Sequence, residues 1–316
     1  MARGPLYEHN YHPQLSGHET FPLRYGWLKK AFEAVHSTEG QPNNRAGVFS
    51  DDAIARFGVG RNMVASMRHW ANAAGIIREP KNTNMVETTK LGRKLFGGSR
   101  PLDPYMEHPA TLWLIHWQLS AHPEKTTWFW AFNHFPAVTF EREHLVKGLD
   151  RLAKELGWSR AAGSTIKNDV ACFIRTYAAQ SGHEDALESP LTELGLIKPV
   201  HRRDGFRFVR GQKSNLGDGV FVYALIDFWE RYSKTTTTLA FEAIAHAPGS
   251  PGRVFLLDEN DVVDRLASID GVTDGAFQWS ETAGLKQVLR EADLDVEKAL
   301  RFAEKDYGRS STREAA

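Results

Sequence analysis

Two glycine-terminated helical patterns in a row, within residues 47–100, are the feature that most constrains the fold of this chain. Ser50 is a favourable N-cap for a first helix, and Gly58 is a favourable stop signal for it. Asn62 repeats the capping pattern for a second helix, which Gly75 would end in a left-handed conformation. Two helices separated by a tight glycine turn predict a helix-turn-helix.

A hairpin pattern follows the second helix directly. Two short runs at residues 76–78 and 86–89 flank a polar turn, and residues 91–96 resume a helical pattern. Helix, glycine turn, helix and hairpin in this order predict a winged helix-turn-helix. Such a unit serves DNA binding, protein contact or scaffolding, because a fold by itself does not decide function.

The remaining patterns predict an α+β fold that is mostly α-helical, with short β-hairpins. Residues 141–213 repeat the winged-helix scheme weakly, as a possible second unit whose hairpin turns at Asp204 and Gly205. We expect five segments: an N-terminal arm with the GHETF helix at 1–46, the winged helix-turn-helix at 47–100, a helical domain at 101–247, an acidic α/β segment at 248–308 and a disordered tail at 309–316.

Several local expectations accompany this outline. The helix after the GHETF sequence would begin at Thr20 or Pro22, and another helix would begin at Thr282. Residues 254–257 are typical of a short strand. The Trp-rich segment 113–130 has two interpretations, a platform on which bases stack or, more simply, a packed core.

The composition is that of an intracellular globular protein. Cys172 is the only cysteine, so the chain offers neither a disulfide framework nor a zinc site of several thiolates. No apolar run reaches the roughly 18 residues of a membrane span, and the N-terminus has no signal-peptide pattern. We therefore expect a cytoplasmic protein with no membrane partner.

Charge is unevenly distributed although the formal net charge is zero. Nine Lys/Arg and two acidic residues at 56–100 give a net charge of +7, and six against one at 198–213 give +5. Residues 254–306 carry thirteen acidic and six basic residues, net −7, which a solvated face explains most simply. Basic patches in a neutral chain predict a localised contact with a polyanion.

The predicted winged helix would hold double-stranded DNA with its second helix in the major groove. The polar residues of that helix that remain to face DNA are Arg61, Asn62, Ser66, Arg68 and His69. The wing, the helix after it and the second basic hairpin supply further candidates for phosphate contacts: Lys81, Lys90, Arg93, Lys94, Arg202, Arg203 and Arg207.

Candidate chemistry lies in the N-terminal segment, since the chain has no phosphate loop, dinucleotide motif or paired cysteine ligands. His18 and Glu19 can hold a divalent metal ion, Mg²⁺ or Mn²⁺. Alternatively, either residue can act as a general base while Arg24 binds a phosphate. The simpler interpretation is that His18 and Glu19 cap the following helix and that Arg24 pairs with a nearby acid.

Several stretches resemble one bacterial domain family of unknown function that is encoded beside sulfur-transfer genes. They are GHETFPLRYGWLKKAF (17–32), GVGRNMVASMRHWANAAGII (58–77), TTKLGRKLF (88–96) and FQWSETAGLKQVLR (277–290). The resemblance covers nearly the whole chain, and its N-terminal motif is the most distinctive part. It implies a component of a DNA phosphorothioation system, in which a desulfurase supplies sulfur that replaces a non-bridging phosphate oxygen.

The resemblance implies a protein that nicks one DNA strand so that the backbone can be modified, in anti-phage defence. His18, Glu19 and Arg24 match its most distinctive motif and become the first candidates for catalysis. The implied partners are double-stranded DNA and the desulfurase and ATPase components. Two alternatives stay open, a non-catalytic DNA-recognition subunit and a winged-helix transcription regulator. A homodimer is also open, although no strong dimerisation heptad is present.

Overall fold

Helices and small antiparallel sheets build the chain in the computed structural model, which describes residues 4–159, 161–178, 189–200, 205–282, 284–291 and 294–308. Within these ranges the strands form one sheet of two strands and two sheets of three. The predicted α+β class is therefore confirmed. No helix in the described ranges is long and apolar enough to cross a membrane. The predicted tail at 309–316 lies outside the described residues.

A first group of elements, called unit 1, occupies residues 27–96. Gly58 (φ 67°) ends its third helix and Gly75 (φ 66°) follows its fourth, both left-handed as predicted. The two strands pair antiparallel, so helix, turn, helix and hairpin follow one another in the predicted order. The elements are α1 (Trp27–His36), α2 (Asn44–Val48), α3 (Asp52–Phe57), α4 (Arg61–Ala73), β1 (Ile77–Arg78), β2 (Glu87–Thr88) and α5 (Lys90–Phe96).

The predicted start of α1 is wrong. This helix begins at Trp27 rather than at Thr20 or Pro22. Thr20 has a φ of 65° and Gly26 a φ of 75°, and left-handed residues cannot continue a right-handed helix. The GHETF motif, residues 17–21, is therefore a turn in front of α1 and caps no helix.

The predicted caps of α3 and α4 are also shifted. Asp51 rather than Ser50 occupies the N-cap of α3, and the Ser50 hydroxyl donates to the Gly47 carbonyl at 3.0 Å. Gly60 precedes α4, so Asn62 lies in its first turn. A side chain inside the first turn cannot accept the N–H bonds that an N-cap residue accepts.

Two helices that follow unit 1 form the centre of the molecule: α6 (Pro109–Ser120) and α7 (Thr126–Asn133). Trp113 and Trp117 have no exposed surface, and Trp128 is only 2% exposed. An all-round apolar helix is buried by its neighbours. The Trp-rich segment is thus packed core, and the base-stacking interpretation is wrong.

A second group, called unit 2, occupies residues 139–208. Its last strand lies between the other two and pairs antiparallel with both. The weakly predicted order of two helices and a hairpin is present here, although Asp204 lies outside the described residues. The elements are β3 (Thr139–Glu141), α8 (Arg142–Glu155), α9 (Gly163–Tyr177), β4 (Ile197–Pro199) and β5 (Gly205–Phe208).

Unit 3, residues 238–290, follows the buried helix α10 (Asp218–Ser233) and repeats the strand order of unit 2, with the last strand between the first and the middle one. A final helix, α15 (Val296–Tyr307), packs against α10. The elements of unit 3 are β6 (Thr238–Ala240), α11 (Phe241–His246), α12 (Pro251–Val254), α13 (Glu259–Ala267), α14 (Ile269–Thr273), β7 (Phe277–Thr282) and β8 (Leu285–Arg290).

Two predictions for the C-terminal region are wrong. Val254 is the last residue of α12 and residues 255–257 follow the helix without forming a strand, because a short buried apolar run does not distinguish the two structures. The helix predicted from Thr282 is strand β8, which pairs with β7 along six residues. Gly284 (φ 81°) lies in the turn between them, and this long-range pairing overrides local helical preference.

Candidate active site

The GHETF motif lies between α4 of unit 1 and α9 of unit 2, and its backbone accepts hydrogen bonds from both helices. From α4, the Ser66 hydroxyl donates to the His18 carbonyl and the Trp70 indole to the Phe21 carbonyl, each at 3.0 Å. From α9, the Cys172 thiol donates to the same Phe21 carbonyl at 3.3 Å. The motif therefore ties α4 to α9, and we call it the clasp.

The His18 side chain completes the clasp in a buried position. Its Nδ1 accepts the Thr20 N–H at 3.0 Å, so its Nε2 carries the proton and donates to Asp169 of α9 at 2.7 Å. His18 is 3% exposed and Asp169 is 2% exposed. The Thr127 hydroxyl donates to the other oxygen of Asp169. Both imidazole nitrogens are thus committed, and His18 has no free lone pair for a metal ion.

An open cleft of about 500 Å³ lies beside the clasp. Residues of the N-terminal segment, the start of α3, the exposed side of α4 and the loop after β1 line it. Several of these side chains are charged or can bind a phosphate. They are Glu19, Asp51, Arg61, Arg68, His69, Glu79 and Lys125.

Glu19 is the carboxylate of the clasp that faces the cleft. Its φ of 47° is left-handed. Its side chain lines the cleft, whereas the side chain of the preceding residue, His18, is buried. The residue is exposed, and no hydrogen bond or ion pair joins its carboxylate to another described residue. A carboxylate without a partner in a cleft is free to take a proton or to contact a cation.

His69 of α4 lies against the backbone of the clasp. A Cβ on Gly17 would come within 2.5 Å of the His69 Nδ1, and Gly17 has a φ of 106°, so glycine is required there on both counts. Burial, and then the nearby Lys125 and His18, hold the pKa of His69 well below its usual value of 6.5. The ring is therefore neutral near pH 7.

Lys125, the residue before α7, is a further cation that lines the cleft. Its ammonium donates to the Gln14 side-chain oxygen at 3.0 Å, and no described carboxylate lies within ion-pair distance. Burial lowers its pKa to about 8, against the weaker opposing effect of Asp169 and Glu124. An oxyanion in the cleft would restore the stability of its charged form.

The two arginines of the cleft differ in their freedom. Arg61 contacts Asp51 at 3.0 Å, but both side chains are 74% exposed, so this pair is weak. Arg68 donates through two nitrogens to Glu79, which also accepts from Asn72 at 2.9 Å. Arg61 is thus available to a ligand, whereas Arg68 is held by a bidentate pair.

Two predicted site residues are placed where they cannot act in the cleft. Ser66 has no exposed surface, so the expectation that it faces DNA is corrected. The Arg24 guanidinium packs over the Phe21 and Trp27 rings, at 5.5 and 5.7 Å from their centroids, and does not line the cleft. Asn62 is exposed in the first turn of α4.

The predicted phosphate contacts after the hairpin of unit 1 are engaged within the molecule. Lys90 donates to the Glu297 carbonyl at 2.7 Å, and Lys94 lies 2.9 Å from Glu304, so α15 neutralises part of this surface. Arg93 donates to the Thr88 carbonyl at 2.7 Å. Of the remaining candidates, Lys81 and Arg207 are exposed, and Arg202 and Arg203 lie outside the described residues.

A preformed metal centre is not found in the described part of the chain, where no three His, Cys, Asp or Glu side chains converge. The predicted ligands separate, since His18 is buried in the clasp and Glu19 is exposed in the cleft. His18 therefore does not fit as a ligand, whereas Glu19 remains a single available carboxylate.

The sequence interpretation missed Asp169 and Lys125. Asp169 interrupts the apolar stripe of α9 between Ile166 and Val170, and a carboxylate in such a stripe needs a buried partner. That irregularity was the available signal. Lys125 stands alone before an aromatic helix, and no local pattern marks it.

Comparisons with known proteins agree over nearly the full length. The crystal structure of magnesium ion-bound SspB has 28% sequence identity and a TM-score of 0.82, and covers 96% of this chain and 90% of the SspB chain. A second SspB crystal structure has 26% identity and a TM-score of 0.79, with 96% and 91% covered. No curated protein matches the chain.

A family model described as "Protein of unknown function (DUF4007)" matches residues 15–307. This range includes the clasp, all three units and every residue that lines the cleft except Gln14. The match confirms the resemblance drawn from the GHETF motif and the stretches after it. The chain therefore belongs to the DUF4007 family of proteins of unknown function.

Proposed function

We propose that this protein is a DNA-binding, strand-nicking endonuclease that acts in DNA phosphorothioate modification and anti-phage defence. The observation that carries the proposal is the cleft, where Glu19 of the most distinctive motif meets Arg61 and Lys125. The similarity to SspB over 96% of the chain, and the phosphorothioation role implied by the sequence resemblance, support the biological setting. The desulfurase and ATPase components are the proposed protein partners.

The proposed reaction is hydrolysis of one phosphodiester bond. A water oxygen bonds to phosphorus, a bridging P–O bond breaks, the water proton passes to Glu19, and the leaving oxygen takes a proton from solvent. Lys125 and Arg61 lie in the same cleft and would stabilise the charge that develops on the non-bridging oxygens. His18 has a positioning role, since it holds the turn from which Glu19 projects.

A divalent ion remains part of this proposal. The SspB structure with bound magnesium supports it, and an ion held by Glu19 is the alternative to proton transfer to Glu19, because one carboxylate does not serve both roles. Mg²⁺ is commonly held by one or two protein carboxylates together with phosphates of the substrate. A site that forms only when DNA is present would agree with the absence of a converging ligand set among the described residues.

Supercoiled plasmid provides the direct test. Purified protein is incubated with plasmid and Mg²⁺, Mn²⁺ or EDTA, with and without the desulfurase and ATPase components. We expect open circles to accumulate and linear DNA to be rare. If no open circle forms under any of these conditions, the protein is not a nickase.

A non-catalytic DNA-recognition subunit is the second candidate. The placement of His18 and Arg24 in structural contacts favours it, because only Glu19 of the three predicted catalytic residues then faces the cleft. It predicts salt-dependent DNA binding that weakens on Arg61→Ala and is never accompanied by cleavage. A transcription regulator would instead be a dimer that binds half-sites about 34–36 Å apart.

At subsaturating plasmid, nicking is expected to decline as the pH rises through about 8, because Lys125 of the DNA-free protein then loses its charge. Lys125→Arg should move this decline to higher pH, since arginine stays protonated. The groups around Lys125 are Gln14, Glu124, His69 and Asp169. The measurement is the initial nicking rate from pH 6.5 to 9.5 for both proteins.

Unfolding does not explain the expected decline. The folded-state pKa of Lys125 is below its unfolded value of 10.5, so between about pH 8 and 10.5 the unfolded chain binds more protons at this group. Its contribution to stability therefore rises with pH over that interval. An identical alkaline decline in the wild type and in Lys125→Arg would contradict the role given to Lys125.

A further inference from the structure

The hairpins of the three units differ in the charge of one cross-strand pair. In unit 1, Arg78 lies opposite Glu87 and contacts it at 2.8 Å. In unit 3, Lys286 lies opposite Glu281 and contacts it at 3.3 Å. Each of these pairs is balanced, and opposite charges across an antiparallel pair stabilise a sheet.

Unit 2 departs from this arrangement, because Lys198 of β4 lies directly opposite Arg207 of β5. Both residues are exposed, and neither forms an ion pair with a described residue. Like charges directly opposite each other destabilise a sheet. The row continues to Thr139 of β3, which lies opposite Arg207 on its other side and carries no charge.

The carboxylate nearest to Arg207 in the strand register already accepts a hydrogen bond. Glu141 of β3 lies opposite Gly205, two residues along β5 from Arg207. Its side chain accepts the backbone N–H of His144, and the His144 side chain accepts the Glu141 N–H, in a capping box for α8. Glu141 forms no ion pair with Arg207, so the positive row on this sheet is left for a ligand.

The second helix of unit 2 adds polar groups with no partner. Lys167 and Asn168 are exposed near the beginning of α9, and neither has a hydrogen bond or ion pair with another described residue. In α4, Arg61 and Asn62 are the first two residues, whereas Lys167 and Asn168 are the fifth and sixth residues of α9. The beginning of the second helix and the hairpin are the parts of such a unit that contact DNA.

We propose that Lys198, Arg207 and Lys167 of unit 2 form a second contact surface for the phosphates of duplex DNA. Duplex DNA supplies the closely spaced negative charges that a row of unpaired cations needs. The choice of DNA as the ligand rests on the proposed function, but this surface would extend the DNA contact beyond unit 1 and the cleft. The clasp, which ties α4 to α9, holds the two contact regions as one body.

The test compares salt dependence of binding between two matched double variants. Binding to a short fluorescent duplex is measured by anisotropy in EDTA at several salt concentrations. Lys198→Gln/Arg207→Gln should lower the slope of log K against log salt by about two units, roughly 0.9 per lost phosphate contact. The control Lys286→Gln/Lys305→Gln removes two exposed cations that are paired with Glu281 and Asp274 outside units 1 and 2, and should leave the slope unchanged. Lys167→Gln should remove about one further unit.

A charge swap separates a binding defect from a folding defect. Lys198→Glu converts the unit 2 pair into the balanced kind found in the other two hairpins, so Tm should be unchanged or raised while DNA affinity falls. An unchanged salt slope in Lys198→Gln/Arg207→Gln, or an equal loss in the control, would overturn the proposed surface.

The binding assay and the nicking assay test the two proposals separately. If the protein never nicks plasmid but the slope of log K against log salt falls in the unit 2 variants, it has this surface and is not a nickase. A protein that nicks plasmid with an unchanged slope is a nickase without this surface.

Discussion

Glu19→Gln should lower the nicking rate by about two to four orders of magnitude, the range typical for loss of a general base. The substitution keeps the size of the side chain and removes only the negative charge that takes a proton. Because Glu19 is exposed and unpaired, the free energy of unfolding should change by less than about 0.5 kcal/mol. The measurements are single-turnover nicking of plasmid and denaturant unfolding of the same preparation.

Glu242→Gln is the matched control, because Glu242 is an exposed glutamate of unit 3 whose side chain is 81% exposed. It should nick at the wild-type rate. Duplex affinity of Glu19→Gln should stay close to that of the wild type, since removing a negative charge does not weaken the hold on phosphate. Nicking at more than a tenth of the wild-type rate would remove Glu19 from the chemistry.

His18→Ala should destabilise the fold by about 3 kcal/mol, the second large effect expected in this protein. The substitution removes the donor to Asp169 and leaves a carboxylate that is 2% exposed with only Thr127 to satisfy it. A hydrogen bond to a charged group contributes about 1.5–3 kcal/mol, and a buried carboxylate left short of a donor raises the cost further. Urea unfolding followed by tryptophan fluorescence measures the difference, since Trp70 and Trp128 lie nearby.

His246→Ala provides the control for this stability measurement. His246 contacts Glu259 at 3.0 Å at the surface, with 41% of its side chain exposed, so its loss should cost less than about 1 kcal/mol. Asp169→Asn keeps the shape of the buried partner and should destabilise less than His18→Ala. Should His18→Ala prove as stable as the wild type while nicking is abolished, the imidazole would be a catalytic group rather than part of the clasp.

Glu19→Gln and His18→Ala change neighbouring residues of one motif, but only His18→Ala is expected to lower the free energy of unfolding. Loss of activity without loss of stability assigns Glu19 to the cleft, and loss of stability assigns His18 to the clasp. Their difference arises from the backbone, because Glu19 has a left-handed φ of 47° directly after a residue whose side chain is buried. A simple helix-capping role, with both residues at the start of α1, is ruled out by the start of α1 at Trp27.

Local patterns in the sequence were sufficient to predict part of the fold. Gly58 and Gly75 end helices as predicted, because a left-handed residue is a local requirement that glycine meets at little cost. The segment from Thr282 was predicted as helix and is strand β8, because its state depends on pairing with β6 and β7.

The candidate site was predictable only in part. Glu19, Arg61 and His69 could be named from a motif and from helical spacing, and they line the same cleft. Ser66, named by the same spacing, is buried, because the side of α4 that holds it packs against the clasp. Lys90 and Lys94 could not be recognised as engaged, since their partners lie more than 200 positions away on α15.

The sequence by itself determined the helix-turn-helix order of unit 1, the left-handed turns and the family to which the chain belongs. These depend on backbone preferences and motifs that act over a few residues. Only the tertiary structure decided that His18 bonds to Asp169, 151 positions away, and that the clasp ties two units together. Burial and pairing between distant residues depend on the whole packed chain, and no local spacing encodes which cations of a basic segment keep their charge exposed.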